Sequence, residues 1–241
     1  MQRIAAAVLL IIISKAALAS SIEDELLRNN LTAQNPPAGG ITYEKLHLGS
    51  YQVTTNGEDL SISLLPQERS QEKPEILEVD GFKIEGTDNG EWGGQLTLTS
   101  PNGSPVTLLK ENVVSIQEDE GSIYIFTGLS HMSIDSGTMY ELINIKTKPE
   151  LVRVTMLPSS PMHIIFDEGI AYILTYAGLI AINPFHQEPS FEIIVHEAPW
   201  QHFAPNSLVK QGNNFVIGMH SGVTVVKSNI YGASDVKFYA K

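Results

Sequence analysis

The stretch "TDNGEWGG", residues 87–94, sets Asp88, Glu91 and Trp92 among closely spaced glycines. Two carboxylates can accept hydrogen bonds or move a proton, and an indole offers a flat apolar face to a sugar, a peptide or an aromatic ring. Similar groups recur later. "TGLSHMSIDSGT" (127–138) carries His131 and Asp135, and "TYAG" (175–178) carries Tyr176. "HEAPWQHFAPN" (196–206) carries Trp200 and His202, and "MHSG" (219–222) carries His220. Imidazole beside carboxylate suits acid–base work or a divalent ion.

Each chemistry makes demands that can be checked. His131, His220, Asp88 and Glu91 are ligand types for zinc, yet there is no H-x-H, HExxH or EF-hand pattern. No metal and no other cofactor is therefore expected. Glu91 and Asp135 could act as the acid and base of a hydrolase or lyase. The nucleophile elbow G-x-S-x-G is missing, because "GLSHM" has Met132 where the last glycine belongs. A P-loop and a GxGxxG are also absent, and no catalytic residue is assigned. What remains is recognition: Asp88, Glu91, Trp92, His131, Asp135, Tyr176, Trp200, His202 and His220 as ligand-binding candidates. Plainer readings stand beside this one. "DNGE" is good turn chemistry by itself, and Tyr176 can serve packing alone. His163 and His196 adjoin the apolar runs "IIF" and "EIIV" and read as structural.

The elements that must position these residues repeat. "EGSIYIFTGLSHMSIDSGTMYELINI" (120–145), "EGIAYILTYAGLIAIN" (168–183) and "NNFVIGMHSGVTVVKS" (213–228) each read turn, strand, turn, strand. "DGFKIEGTDNGEWGGQLTL" (80–98) is an earlier copy, and "GSYQVTTNGEDLSISLLP" (49–66) is a weaker one. Lys83, Tyr124, Tyr172 and Val216 align at spacings of 41, 48 and 44. A further apolar strand precedes each clear copy, and most are followed by a fourth. Four short antiparallel strands per unit is the β-propeller pattern, since one such sheet cannot bury both faces alone while sheets stacked side by side can. The fold class expected is all-β: a propeller of about five four-stranded blades over 41–241, preceded by a short helix and linker in 20–40. In that arrangement the turns between second and third strands open on one face, together with the 196–206 connection. All nine candidates then share a rim, and "EDEG" (118–121) lies on the opposite side.

The first residues, "MQRIAAAVLLIIISKAALASS", have a basic start, an apolar run over 4–13 and the small-x-small site Ala17-Leu18-Ala19. They read as a signal peptide cut after Ala19, because ten apolar residues fall short of the twenty or so a bilayer span needs. The expected product is exported, periplasmic or secreted, with no membrane insertion after cleavage. No cysteine occurs, which excludes disulfides and suits a bacterial periplasm. Past Ala19 there are 13 basic and 27 acidic residues, a net charge of −14 that repels nucleic acid and favours a cationic partner.

"GEWGGQL", followed by "GSIYIFTGLSHMSIDSGTMYEL" and "GIAYILTYAGLIAI", resembles a group of bacterial exported propeller-like proteins. They share GEWGG-x-L, a glycine-bounded strand, TG with a small-His-apolar segment, and a D-x-G turn. The likeness covers roughly residues 78–226. It implies the fold and the exported location and carries no activity with it. The function expected is non-catalytic binding of a protein, peptide or glycan partner. The alternatives are a carboxylate and histidine enzyme on the same face, or a structural part of an envelope assembly.

Overall fold

A computed structural model of the chain describes residues 21–36, 49–57, 59–65, 73–185, 189, 191–196, 200, 202–228 and 235–241. The expected signal peptide and the end of the linker lie outside the described residues.

The chain opens with helix α1 (Ile22–Arg28). Ser21 caps it by accepting from the Asp24 N–H at 3.1 Å, and the Asp24 carboxylate accepts from the Ser21 N–H at 3.4 Å. The helix ends at the left-handed turn of Asn30, φ 56°. The next residues, expected to continue the helix and then to link, instead form strand β1 (Thr32–Gln34).

Among the described residues, all remaining regular structure is antiparallel sheet apart from a short turn of 3-10 helix. A hairpin comes first: β2 (Ser50–Asn56) with β3 (Asp59–Leu65). A four-stranded sheet follows, of β4 (Glu75–Val79), β5 (Phe82–Thr87), β6 (Gln95–Thr99) and β7 (Val106–Leu109). The second comprises β8 (Val113–Asp119), β9 (Ser122–His131), β10 (Ile134–Ile143) and β11 (Glu150–Leu157). The third comprises β12 (Pro161–Asp167), β13 (Ile170–Thr175), β14 (Leu179–Ile182) and β15 (Phe191–Val195). The last comprises β16 (Ser207–Gln211), β17 (Asn214–Met219), β18 (Gly222–Lys227) and β19 (Asp235–Ala240). The all-β expectation and the recurring four-stranded unit are thus present. Uniformity fails at the two ends. The hairpin unit has two strands among the described residues, and the last sheet gains β1 as a fifth strand, with Thr32 opposite Ala240.

The sheets follow one another in chain order, and the first strand of each touches the first strand of the next: β4 with β8, β8 with β12, β12 with β16, and β16 with β2. Side-chain alternation explains why. On β9, Ile123 and Ile125 enter the core shared with the preceding sheet, while Tyr124 and Phe126 enter the core shared with the following one. On β17, Phe215 and Ile217 face one neighbour and Val216 the other. A strand apolar on both sides needs a sheet on each side. At the end of the series, Ile22, Leu26 and Leu31 join β2 and β3 against β16–β18. Buried Glu25 accepts from the backbone N–H of Ile62 at 3.3 Å, which ties α1 to β3.

Small residues let the sheets approach. A Cβ added at Gly128 would lie 2.5 Å from both Pro161 Cδ and Ser160 Oγ of the next sheet. One expected alignment is off by a residue. The hairpins close on Val79–Phe82, Asp119–Ser122, Asp167–Ile170 and Gln211–Asn214. Ile84, not Lys83, therefore matches Tyr124, Tyr172 and Val216. A one-residue slip swaps the two faces of a strand, and Ile84 is the fully buried residue.

Three of those hairpins turn through residue pairs with positive φ at both positions. These are Asp80–Gly81 (50° and 80°), Glu120–Gly121 (49° and 83°) and Glu168–Gly169 (50° and 73°). This is the type I′ turn that matches strand twist, for which Asn-Gly is the favoured pair. A glutamate in the left-handed region is costly. Replacing exposed Glu120 by Asn should stabilise the fold by about 0.5–1 kcal/mol, read as a raised midpoint in denaturant at unchanged slope.

Candidate functional site

Asn112, buried where the chain passes from β7 to β8, organises the face that carries "DNGEW". Its side-chain amide donates to the Gly90 carbonyl at 2.7 Å, and its carbonyl oxygen accepts from the Asn89 N–H at 3.2 Å. Its own backbone carbonyl accepts from the Gly128 N–H at 3.2 Å. Asp88 accepts from the Gly90 N–H at 2.8 Å, and residues Gly90–Trp92 form a short turn of 3-10 helix. The loop is therefore bonded at two backbone positions, the Asn89 N–H and the Gly90 carbonyl, to a fixed scaffold. It presents Trp92, which is 84% exposed.

The segment 127–138, expected as a loop, is mostly strand. β9 runs to His131 and β10 starts at Ile134, so only Met132 and Ser133 form the tip. This long hairpin brings His131 to the loop, with its Nε2 3.1 Å from Glu91 Oε2. Asp135 reaches across to the next sheet and accepts from the Ser160 N–H at 2.7 Å. The Ser160 carbonyl in turn accepts from the Tyr176 N–H at 2.9 Å. Six of the nine candidates are thereby brought together: Asp88, Glu91, Trp92, His131, Asp135 and Tyr176.

Two cavities of about 310 Å³ each open beside them. The first is walled by Asp88, Asn112, Ser130, Ser160, His163 and Tyr176, among others. The second is walled by Glu91, Glu111, Asn112, Thr127, Ser136 and Thr138 along with glycine backbone and Leu129. In the second, the Thr127 hydroxyl donates to Glu111 Oε2 at 2.8 Å and the Tyr140 hydroxyl to Oε1 at 3.2 Å. Burial, with the Glu111 carboxylate beside it, pushes the Tyr140 phenol up, so Tyr140 keeps its proton and donates a hydrogen bond to Glu111.

The other three candidates lie elsewhere. Trp200 was expected to offer a flat face and instead is fully buried. It packs in the core with Phe203 and Phe215, and its indole N–H donates to the Thr175 carbonyl at 3.1 Å. Trp200 and Phe203 fill the gap between two sheets, and burial outweighs display there. His202 is exposed and lines neither cavity. His220 also lines neither. Its backbone N–H donates to the Phe203 carbonyl at 2.8 Å, it bridges to Ser50, and its Nδ1 is buried with no hydrogen-bond partner.

Asn112, Glu111 and Ser160 escaped the sequence reading. All three sit in connections into a first strand, the same kind of connection as 196–206, and that was the available signal. His163, read as structural, is also a cavity wall. Its Nε2 lies 3.2 Å from the Pro205 carbonyl, which can only accept, so Nε2 carries the proton. Burial pushes its pKa down, outweighing the carbonyl bond. Among the described residues no group of three or more His, Asp or Glu stands close enough to hold a metal ion.

No family model matches the chain, nor does any curated protein. Among solved structures it is similar to apo AtxE2 isopeptidase, with 12% identity and a TM-score of 0.38 over 69% of this chain and 28% of that one. It is similar to the GH43 protein BlXynB from Bacillus licheniformis, with 15% identity and a TM-score of 0.35 over 67% and 40%. It is also similar to apo AztD from Citrobacter koseri, with 12% identity and a TM-score of 0.37 over 77% and 53%. The chain spans about half or less of the length of these proteins, and scores this low carry no functional argument.

Two outcomes follow from this geometry. Asn112→Ala removes both clamps on the loop and leaves the part-buried Asn89 N–H and Gly90 carbonyl unpaired. It should cost about 1–3 kcal/mol and speed protease cleavage within 88–94. His163 has a folded pKa below its ordinary 6.5, so its contribution to stability is complete above that value. It is lost as pH falls through the lower folded value, because the unfolded chain takes up the proton first. His163→Gln should flatten that part of the stability–pH curve, measured by denaturant titration from neutral pH downward.

Proposed function

We propose that the protein is an exported binding module, a propeller of about five blades that captures a protein, peptide or glycan partner on the "DNGEW" face. The N-terminal sequence pattern supports export to the periplasm or beyond. No helix among the described residues is long and apolar enough to cross a membrane. The contact series β4, β8, β12, β16, β2, with α1 and the hairpin packed on the last sheet, supports the propeller reading.

One observation carries the binding reading. A tryptophan stands 84% exposed on a loop whose backbone is bonded to the sheet beneath it, beside two adjoining cavities. An exposed indole gains nothing for the fold, whereas a flat apolar face held in place lowers the ordering cost of binding. The carboxylates of Asp88 and Asp135 accept from backbone N–H groups, which fits scaffold work better than proton transfer. The net negative charge argues against nucleic acid.

The test is thermal unfolding of the protein against panels of purified peptides, glycans and envelope proteins. A ligand of the folded state at about 100 times its Kd adds about 2.7 kcal/mol and raises the midpoint. The expected result is a shift with at least one panel member that disappears in Trp92→Ala. A shift that survives Trp92→Ala would place the ligand on another surface.

A further inference from the structure

The second cavity has a chemistry that selects its guest. Its charged walls are Glu91 and Glu111, and its remaining polar walls are the hydroxyls of Thr127, Ser136 and Thr138, Asn112 and backbone. No lysine or arginine lines it. Glu111 is held in place, with the Thr127 hydroxyl on one oxygen and the Tyr140 hydroxyl on the other. A carboxylate oxygen accepts more than one bond, so each retains capacity toward the cavity. Glu91 comes from the clamped loop, with His131 as its protein partner. Trp92 lies between two wall residues, Glu91 and Gly93, and projects its indole outside.

We propose that this cavity receives a cationic side chain, arginine or lysine, from a peptide segment of the partner, with Trp92 covering it at the rim. The inference rests on the binding reading above and deepens it by naming the partner's chemistry. A guanidinium matches the requirement closely: it is always charged, donates in a planar fork to carboxylates and stacks on an aromatic face. A cation within about 6 Å of an indole centroid is attracted by the ring's quadrupole. The acidic balance of the whole chain draws the same class of partner. The neighbouring cavity shares Gly90, Asn112, Gly128 and Leu129 with this one, so residues flanking the cation have a place to lie.

Trp92 and Trp200 are the two tryptophans, one exposed and one buried, so their indole N–H resonances give a rim reporter and an internal control. The 15N-labelled protein is titrated with N-acetyl-Gly-Ala-Arg-Ala-Gly-amide and with the same peptide carrying citrulline, which keeps the shape and loses the charge. The expected result is a saturable Trp92 shift with the arginine peptide and a much weaker one with citrulline. Glu111→Gln and Glu91→Gln should each raise the Kd about fivefold or more. Because Glu111 also holds Thr127 and Tyr140, the surface residue Glu91 provides the variant that leaves the fold intact. Glu150→Gln, at the far end of β11, controls for general charge attraction and should leave the Kd unchanged. Equal binding of the citrulline peptide, equal weakening by Glu150→Gln, or no Trp92 shift would overturn the assignment. If the arginine peptide fails while the thermal panel yields a ligand lost in Trp92→Ala, the cationic assignment falls and the binding reading stands. If both fail, both readings fall.

Discussion

A strand with Ile123 and Ile125 on one side and Tyr124 and Phe126 on the other cannot rest at the surface of a lone sheet. Each side must be covered, and neighbouring sheets cover both. This requirement sets the architecture. Apolar burial is non-directional and grows with the area removed from water, so it favours any arrangement that pairs such faces. Hydrogen-bonded strands restrict the choice to sheets laid face to face in series. The series leaves its two end sheets each with an uncovered face. Helix α1 and the β2–β3 hairpin pack against the last sheet, and β1 extends that sheet's outer edge.

Close packing of sheets also decides what the loops can do. The sheets approach through residues such as Gly128, where a side chain would strike Pro161, and this brings connections from different sheets within hydrogen-bonding range. Asp135 of one sheet then meets Ser160 of the next, and Asn112 meets the loop of the sheet before it. The candidate face is thus a consequence of the inter-sheet contacts. Its polar residues hold backbone, and its cavities are the space left between the strands and the loops tied over them. Trp92 is turned out to solvent on this face, on a loop anchored by its backbone to Asn112.

The recurrence of turn and strand determined a great deal by itself. Alternation of apolar residues depends only on backbone geometry, so the all-β class and the hairpins could be read directly. So could the gathering of Asp88, Glu91, His131, Asp135 and Tyr176 on one side, since the turns between second and third strands open on one face, although His131 and Asp135 lie in the strands β9 and β10 and not in a loop. The limit of this logic shows at Lys83. A window of apolar residues gives the period of a strand more firmly than its register, and the true match, Ile84, was fixed by the Asp80–Gly81 turn.

The tertiary structure alone decided which side chains face water. "HEAPWQHFAPN" and "DNGEWGG" look alike in composition, each with a tryptophan among turn residues. In the first, Trp200 lies among the apolar faces of two sheets that need filling, so it is drawn inside. The second hangs from Asn112 at the mouth of two cavities, tied by its backbone, and Trp92 stays outside. Local sequence specifies local conformation, whereas burial is set by what other segments, distant in the chain, leave uncovered. That is why Trp200 was misread, and why Asn112, Glu111 and Ser160 emerged only once the sheets stood side by side.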